Sequence, residues 1–128
     1  SEPTLNKPIG PYTPVMRAGD LLFVSGQIGI IETVSDSGPV TGTLAEGGFG
    51  AQVAQALSNF QAQVEANGAT LDQVVKTNVF LTDMGNFAAM NEIYCDAFGD
   101  HRPARSCVAV AALPIGALFE MEGVVHLG

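Results

Sequence analysis

Only five Lys and Arg serve a chain of 128 residues, and one of them, Arg105, leads straight into an apolar run within RPARSCVAVAALP (102–114). A guanidinium beside a buried run is costly unless an anion pairs with it. Alternation along an extended strand sets Arg105, Cys107, Ala109 and Ala111 on one face and Ser106, Val108 and Val110 on the other. The small residues beyond Cys107 leave room for a ligand or a neighbouring chain. A planar fork in that position suits a carboxylate; a structural ion pair with Glu120 or Glu122 is the plain alternative, and composition does not separate the two. In FEMEG (119–123) Glu120 and Glu122 share a face. Two solvated acids are the ordinary reading. The chemical one is a carboxyl drawn partly out of water, whose raised pKa lets it shuttle protons. A hairpin between the last two strands would bring these acids close to Arg105.

Other reactive side chains carry weaker signals. Cys107 as a nucleophile needs a base, and His101 and His126 are the only histidines. No Cys-protease-like signature surrounds it, and a thiol in an apolar strand is ordinarily core. Cys95, His101, Cys107 and His126 lack any zinc-ligand spacing, so no metal site is expected. GGFG (47–50) precedes a helix but lacks the Gly-Lys-Ser/Thr ending of a phosphate loop, which leaves a flexible loop. Asn91, four residues after Phe87, falls on the flank of a helical apolar stripe, where a surface Asn is the default.

The elements that must position these groups follow from periodicity. Pro3, Pro8, Pro11 and Pro14 make the opening segment extended. Val15 to Ala18, Gly19-Asp20 and Leu21 to Gln27 read as a hairpin. Residues 29–50 hold six Gly and read as a loop with one short strand. A helix is predicted from about Phe49 to Asn67, with Val53, Ala56, Leu57, Phe60 and Val64 on its apolar stripe and Asn67-Gly68 as its stop. VVKTNVFL (74–81) alternates as a strand, with Val75, Thr77, Val79 and Leu81 on one face and Lys76, Asn78 and Phe80 on the other. A second helix runs from about Phe87 to Phe98 and buries Phe87, Met90, Tyr94, Ala97 and Phe98. Strands from Arg105 to Leu113 and Ala117 to Val125 close the chain, with PIG turning between them. The order β-β-(β)-α-β-α-β-β predicts an α+β domain over residues 1–128, a mixed sheet with two helices on one face. No element remains to cover the other face.

Composition excludes some partners. The net charge of −8 offers no basic surface for nucleic acid or an anionic membrane. Charged residues are 14% of the chain, against about 25% in an ordinary soluble domain, while apolar types are 47% before Gly is counted. So much apolar surface points to a homo-oligomer. Cys95 and Cys107 form no disulfide framework and suit a reducing compartment. The sequence shows no secretory signal, and the apolar run 108–114 is too short to span a bilayer.

IGPYTPV (9–15), LLFVSGQI (21–28), VVKTNVFLTDM (74–84), FAAMNEIY (87–94), RPARSCVAVAALP (102–114) and LFEMEG (118–123) resemble, in the same order, the Rid (reactive intermediate deaminase) family, also called YjgF-like, with PARSCV the most specific part. The resemblance covers nearly the whole chain. It implies a chorismate-mutase-like fold and a homotrimer with sites between subunits. It also implies hydrolysis of 2-aminoacrylate, 2-iminobutanoate and similar enamino or imino acids to 2-keto acids and ammonia, without a cofactor, in the cytoplasm or an organelle matrix. By the same resemblance Arg105 clamps the substrate carboxylate and marks the deaminating branch, and Glu120 activates the attacking water. Cys107 lines the pocket through its backbone, Tyr12, Ser25 and Asn91 supply polar contacts, and Gly26 admits a close backbone approach. A non-catalytic trimer that binds small carboxylates is the alternative, followed by a ribonuclease or translation inhibitor, which the acidity disfavours. Many members carry Pro after SGQI; here Gly29 and a longer loop follow, which puts substrate size in question.

Overall fold

The computed structural model describes residues 10–33 and 41–128. Most of the proline-rich opening segment and residues 34–40 of the glycine-rich loop therefore lie outside the described residues. The elements run β1 (Val15–Ala18), β2 (Leu21–Ile28), β3 (Ile30–Thr33), β4 (Thr41–Leu44), α1 (Phe49–Ala66), β5 (Val74–Leu81), α2 (Phe87–Phe98), β6 (Ala104–Ala109) and β7 (Phe119–His126). The expected α+β architecture is present: two helices pack on one face of a five-stranded mixed sheet in the order β1-β2-β7-β5-β6.

Local chemistry explains most boundaries. Gly19, at φ 60, closes the β1–β2 hairpin in a conformation that suits glycine. Helix α1 buries its apolar stripe, with Val53, Ala56, Phe60 and Val64 fully enclosed. It stops at Asn67, where Gly68 turns the chain with φ 82 and donates its N–H to the Glu65 carbonyl. Phe60 drives its ring onto β7 at Gly123, where an added Cβ would stand 2.7 Å from Cζ. The absence of a side chain at Gly123 is thus what lets α1 approach the sheet.

Four expectations need correction. The loop 29–50 carries two short strands, β3 and β4, paired as an antiparallel ribbon separate from the main sheet. Val75 is 47% exposed and does not share the buried face of Thr77, Val79 and Leu81. A register shift between Val74 and Lys76 lets Val74 take the inward place. Strand β6 ends at Ala109, short of Leu113, because β5 ends at Leu81, whose carbonyl takes the Val110 N–H as the last rung.

The fourth correction matters most for function. The last two strands are not neighbours. Helix α2 carries the chain from β5 to β6, which pairs parallel with β5 at the sheet edge, while β7 enters between β2 and β5. The connection from β6 to β7 therefore skips over β5. In it, Ile115 adopts the left-handed conformation at φ 49, uncommon for a β-branched residue.

Candidate active site

Pairing across the sheet fixes which side chains share a face. On the helix side one row runs Val24, Gly123, Thr77, Arg105 and the next Met121, Val79, Cys107. On the other side the rows are Met16, Phe23, Val124, Lys76; then Glu122, Asn78, Ser106; then Glu120, Phe80, Val108. No described element covers this second face, and Met16, Phe23 and Val108 are 57%, 45% and 47% exposed there.

Arg105 and Cys107 point together, as strand parity required, but toward the helix layer. The Arg105 guanidinium lies 4.8 Å from the Tyr94 ring centroid and 5.6 Å from that of Phe87, with Nη1 3.9 Å from the Met90 sulfur. All three partners come from α2, one turn apart. Tyr94 is itself fixed, its hydroxyl 2.9 Å from the Thr77 Oγ1. Burial pushes the Tyr94 phenol up, against the opposing Thr77 hydrogen bond and Arg105 charge, so it stays protonated. Among the described residues no carboxylate pairs with Arg105; its planar head is held by rings and keeps its donors for an incoming anion. Burial likewise pushes the Cys107 thiol up, with Arg105 opposing. A protonated thiol suits a pocket wall and not a nucleophile. His101, one of its two possible bases, has Nε2 2.7 Å from the Val74 carbonyl oxygen.

Asn91 belongs to the same neighbourhood, one turn along α2 from Phe87. Its Oδ1 is buried and has no hydrogen-bond partner. A buried orphan acceptor calls for an explanation, and the default of a surface Asn does not fit it. Arg102, by contrast, is structural: its Nη1 donates to the Gly99 and His101 carbonyls at the end of α2.

The second group assembles where β2 bulges between Val24 and Gln27. The bulge frees Ser25 and Gly26 from the regular ladder. The Ser25 hydroxyl donates to the Thr13 carbonyl at 2.7 Å and its N–H to the Pro14 carbonyl at 2.9 Å, tying the Tyr12 segment to this strand. Tyr12 is 44% exposed. Gln27, buried, closes the bulge by donating Nε2 to the Ser25 carbonyl. The carboxyl of Glu120 fills the space beside Gly26, where an added Cβ would lie 2.8 Å from Cδ. Only glycine admits the carboxyl in this position. Burial, and then the neighbouring Glu122 charge, push the Glu120 carboxyl up from its ordinary range. Glu122 accepts a 2.9 Å hydrogen bond from Asn78 Nδ2.

The chain thus groups Arg105 with Cys107, and Ser25 and Gly26 with Glu120; Asn91 lies one turn of α2 beyond Phe87, and Tyr12 precedes the Thr13 carbonyl that Ser25 holds. The two groups do not meet within one copy: Arg105 and Glu120 occupy opposite faces, with β5 between their strands. This removes the structural ion pair that composition left open for Arg105. The sequence reading missed Phe87 and Tyr94 as the guanidinium's platform and Gln27 as the strut of the bulge. Phe87 and Tyr94 were assigned to the core stripe; their i, i+7 spacing on one helix face was the available signal. Gln27 gave none.

Among the described residues no three His, Cys, Asp or Glu side chains group as a metal site requires, and no helix is long and apolar enough to cross a membrane.

Comparison with known proteins places this arrangement. The family model described as Endoribonuclease L-PSP matches residues 4–127. A RutC family protein of Pyrococcus horikoshii is 42% identical over 120 residues, covering 94% of this chain and 90% of that protein. A 2-iminobutanoate/2-iminopropanoate deaminase of Dermatophagoides farinae is 38% identical over 125 residues, 98% of this chain and 92% of that one. The crystal structure of RidA from an Antarctic Psychrobacter superposes with a TM-score of 0.83 at 35% identity, covering 95% of this chain and 93% of the other. The chain belongs to the Rid family, the YjgF/RutC proteins that share the Endoribonuclease L-PSP model.

Proposed function

We propose that this protein hydrolyses short-lived 2-imino and 2-enamino acids, such as 2-iminobutanoate and 2-aminoacrylate, to 2-keto acids and ammonia. The observation that carries the reading is the Arg105 guanidinium, held on the Tyr94 and Phe87 rings with no carboxylate partner among the described residues. Arg105 takes the substrate carboxylate as a two-point clamp. An enamine first gains a proton at carbon and becomes the iminium, already electrophilic. Glu120 accepts a proton from water as its oxygen bonds to that carbon. Glu120 then returns that proton to the carbinolamine nitrogen and takes the hydroxyl proton as the C–N bond breaks and the C=O bond forms, so ammonia and the keto acid leave. Holding, orienting and one proton relay suffice, which needs few groups and no cofactor. The Asn91 Oδ1 acceptor, Cys107, Tyr12, Ser25 and the Gly26 backbone line the pocket in this reading.

The two loci complete one site when copies of this chain associate through the open sheet face. Its uncovered Met16, Phe23, Phe80, Val108 and Val124 support a homotrimer with sites between subunits. Mixed trimers reassembled from inactive Arg105→Ala and Glu120→Gln chains regain activity if the sites are shared; a mixture as dead as its parents places each site within one chain.

The deciding assay generates 2-iminobutanoate in situ and follows its loss. Acceleration over buffer is expected, and Arg105→Ala lowers kcat/KM about 100-fold, the loss of about 2.7 kcal/mol of charged hydrogen bonding. An Arg105→Ala protein as fast as wild type overturns the proposal. The free thiols Cys95 and Cys107 favour a reducing compartment, cytoplasm or organelle matrix. The family's endoribonuclease description finds little support here: five Lys and Arg against 13 acids give no track for a phosphate backbone.

A further inference from the structure

The polar face of α1 holds an arrangement that packing alone does not require. Gln52 is buried, 8% exposed, in the first turns of α1. Its Oε1 accepts a 2.9 Å hydrogen bond from the Leu118 N–H, immediately before β7 begins. Its backbone lies against Gly29, where any Cβ would collide with the Gln52 carbonyl. Gly29 directly follows Ile28, and Ile28 pairs across the sheet with Glu120. One helical residue thus touches both strands on either side of the Glu120 carboxyl: β7 two residues before it, and β2 one residue after its partner. Asn59, two turns along α1, reinforces the second contact by donating to the Ile28 and Ile30 carbonyls at 3.0 and 2.9 Å. The close approach of α1 leaves no room for a Cβ at residue 29.

We propose that Gln52 is a positioning residue for Glu120: by joining the end of β2 to the start of β7 from the helix side, it holds the Glu120 carboxyl in the space beside Gly26. The hydrogen bond is the adjustable part, because the Leu118 N–H has no β-ladder partner before β7 starts. Without an acceptor at residue 52, the Leu118 N–H loses its partner and the approach to β7 is held only by the Thr82 N–H on the Leu118 carbonyl and by the ladder from Phe119 on, which loosens the seat of the Glu120 carboxyl. Arg105, on β6 and packed against α2, is untouched by this change. The kinetic consequence rests on the deaminase reading; the structural one does not.

The experiment therefore has two arms. The first follows the Glu120 carboxyl by carbon-13 NMR titration, with Glu120→Gln assigning the signal. The charged groups on its sheet face are Glu122 and His126 on β7 and Lys76 on β5, so these signals are followed in parallel. In Gln52→Leu the Glu120 midpoint falls toward the ordinary carboxylate range, since the group is less buried, while Gln52→Glu, which keeps an acceptor of the same length, retains the wild-type midpoint. The second arm measures kinetics. Gln52→Leu lowers kcat about tenfold with KM within about twofold, and Gln52→Glu restores kcat. If Gln52→Leu does not fold, Gly29→Ala presses the same junction from the β2 side and gives the same two changes. A folded Gln52→Leu protein with an unmoved Glu120 midpoint overturns the proposal, as does equal loss in Gln52→Glu and Gln52→Leu. A wild-type protein without turnover overturns the deaminase reading alone, because the titration still reports on Gln52.

Discussion

The Arg105 locus and the Glu120 locus are built by opposite means. Arg105 is supported by addition: Phe87, Met90 and Tyr94 supply polarisable surface under a cation that no carboxylate among the described residues neutralises. Glu120 is supported by subtraction: Gly26 withholds a side chain, a bulge interrupts the ladder, and desolvation does the rest. The first arrangement favours binding of an anion, which is a matter of affinity. The second raises the basicity of a carboxylate, which is a matter of proton transfer. In the proposed reaction, binding and chemistry fall to different elements of one chain, and substitutions at the two loci should fail in different kinetic parameters.

The sharpest way to break this contrast is Glu120→Gln. It is expected to lower kcat about 100-fold or more while leaving KM within a few-fold. The wild-type rate is expected to fall as pH drops through the raised Glu120 midpoint, because the protonated carboxyl cannot accept the water proton, and that acid limb should vanish in Glu120→Gln. A loss confined to KM would erase the distinction. Next comes Arg105→Lys, which keeps the charge but not the planar fork or the stacking. It should raise KM about tenfold with a smaller change in kcat, read from initial rates against substrate concentration. Gly26→Ala follows: the new Cβ displaces the Glu120 carboxyl, so kcat falls about tenfold while KM holds. Phe87→Ala removes one ring from beneath the guanidinium and should raise KM only about two- to fivefold, the scale of an exposed cation–π contact.

The smallest effect is on stability. A carboxyl whose pKa is raised by folding contributes stability below the ordinary carboxylate range and loses it as pH rises through the raised value. Glu120→Gln should therefore unfold ~1–2 °C higher than wild type near pH 8, with the gap closing near pH 4. The discount for partial exposure keeps the figure small. An equal gap at both pH values would mean that desolvation of this group is not what raises it.

Both helices, the β1–β2 hairpin and β5 were legible in the sequence, because each is set by spacing within a short window. Alternation within β6 sufficed to put Arg105 and Cys107 on one side, and the count of elements left one sheet face without a cover. The inward place of Val74 and the β3–β4 ribbon were not legible, since a bulge and a non-adjacent pairing leave no periodic trace. Nor was the burial of the Asn91 acceptor, whose surroundings come from elsewhere in the fold.

The sequence by itself determined which residue types were available for chemistry and which neighbours shared a strand face, since both follow from covalent order and a repeat of two or 3.6 residues. The tertiary structure alone decided that β7 lies between β2 and β5, that Arg105 faces helices while Glu120 faces the open side, and that Gly26 sits beside the Glu120 carboxyl. Those relations join residues tens of positions apart. They arise from how whole elements share one core, a balance that no local pattern records.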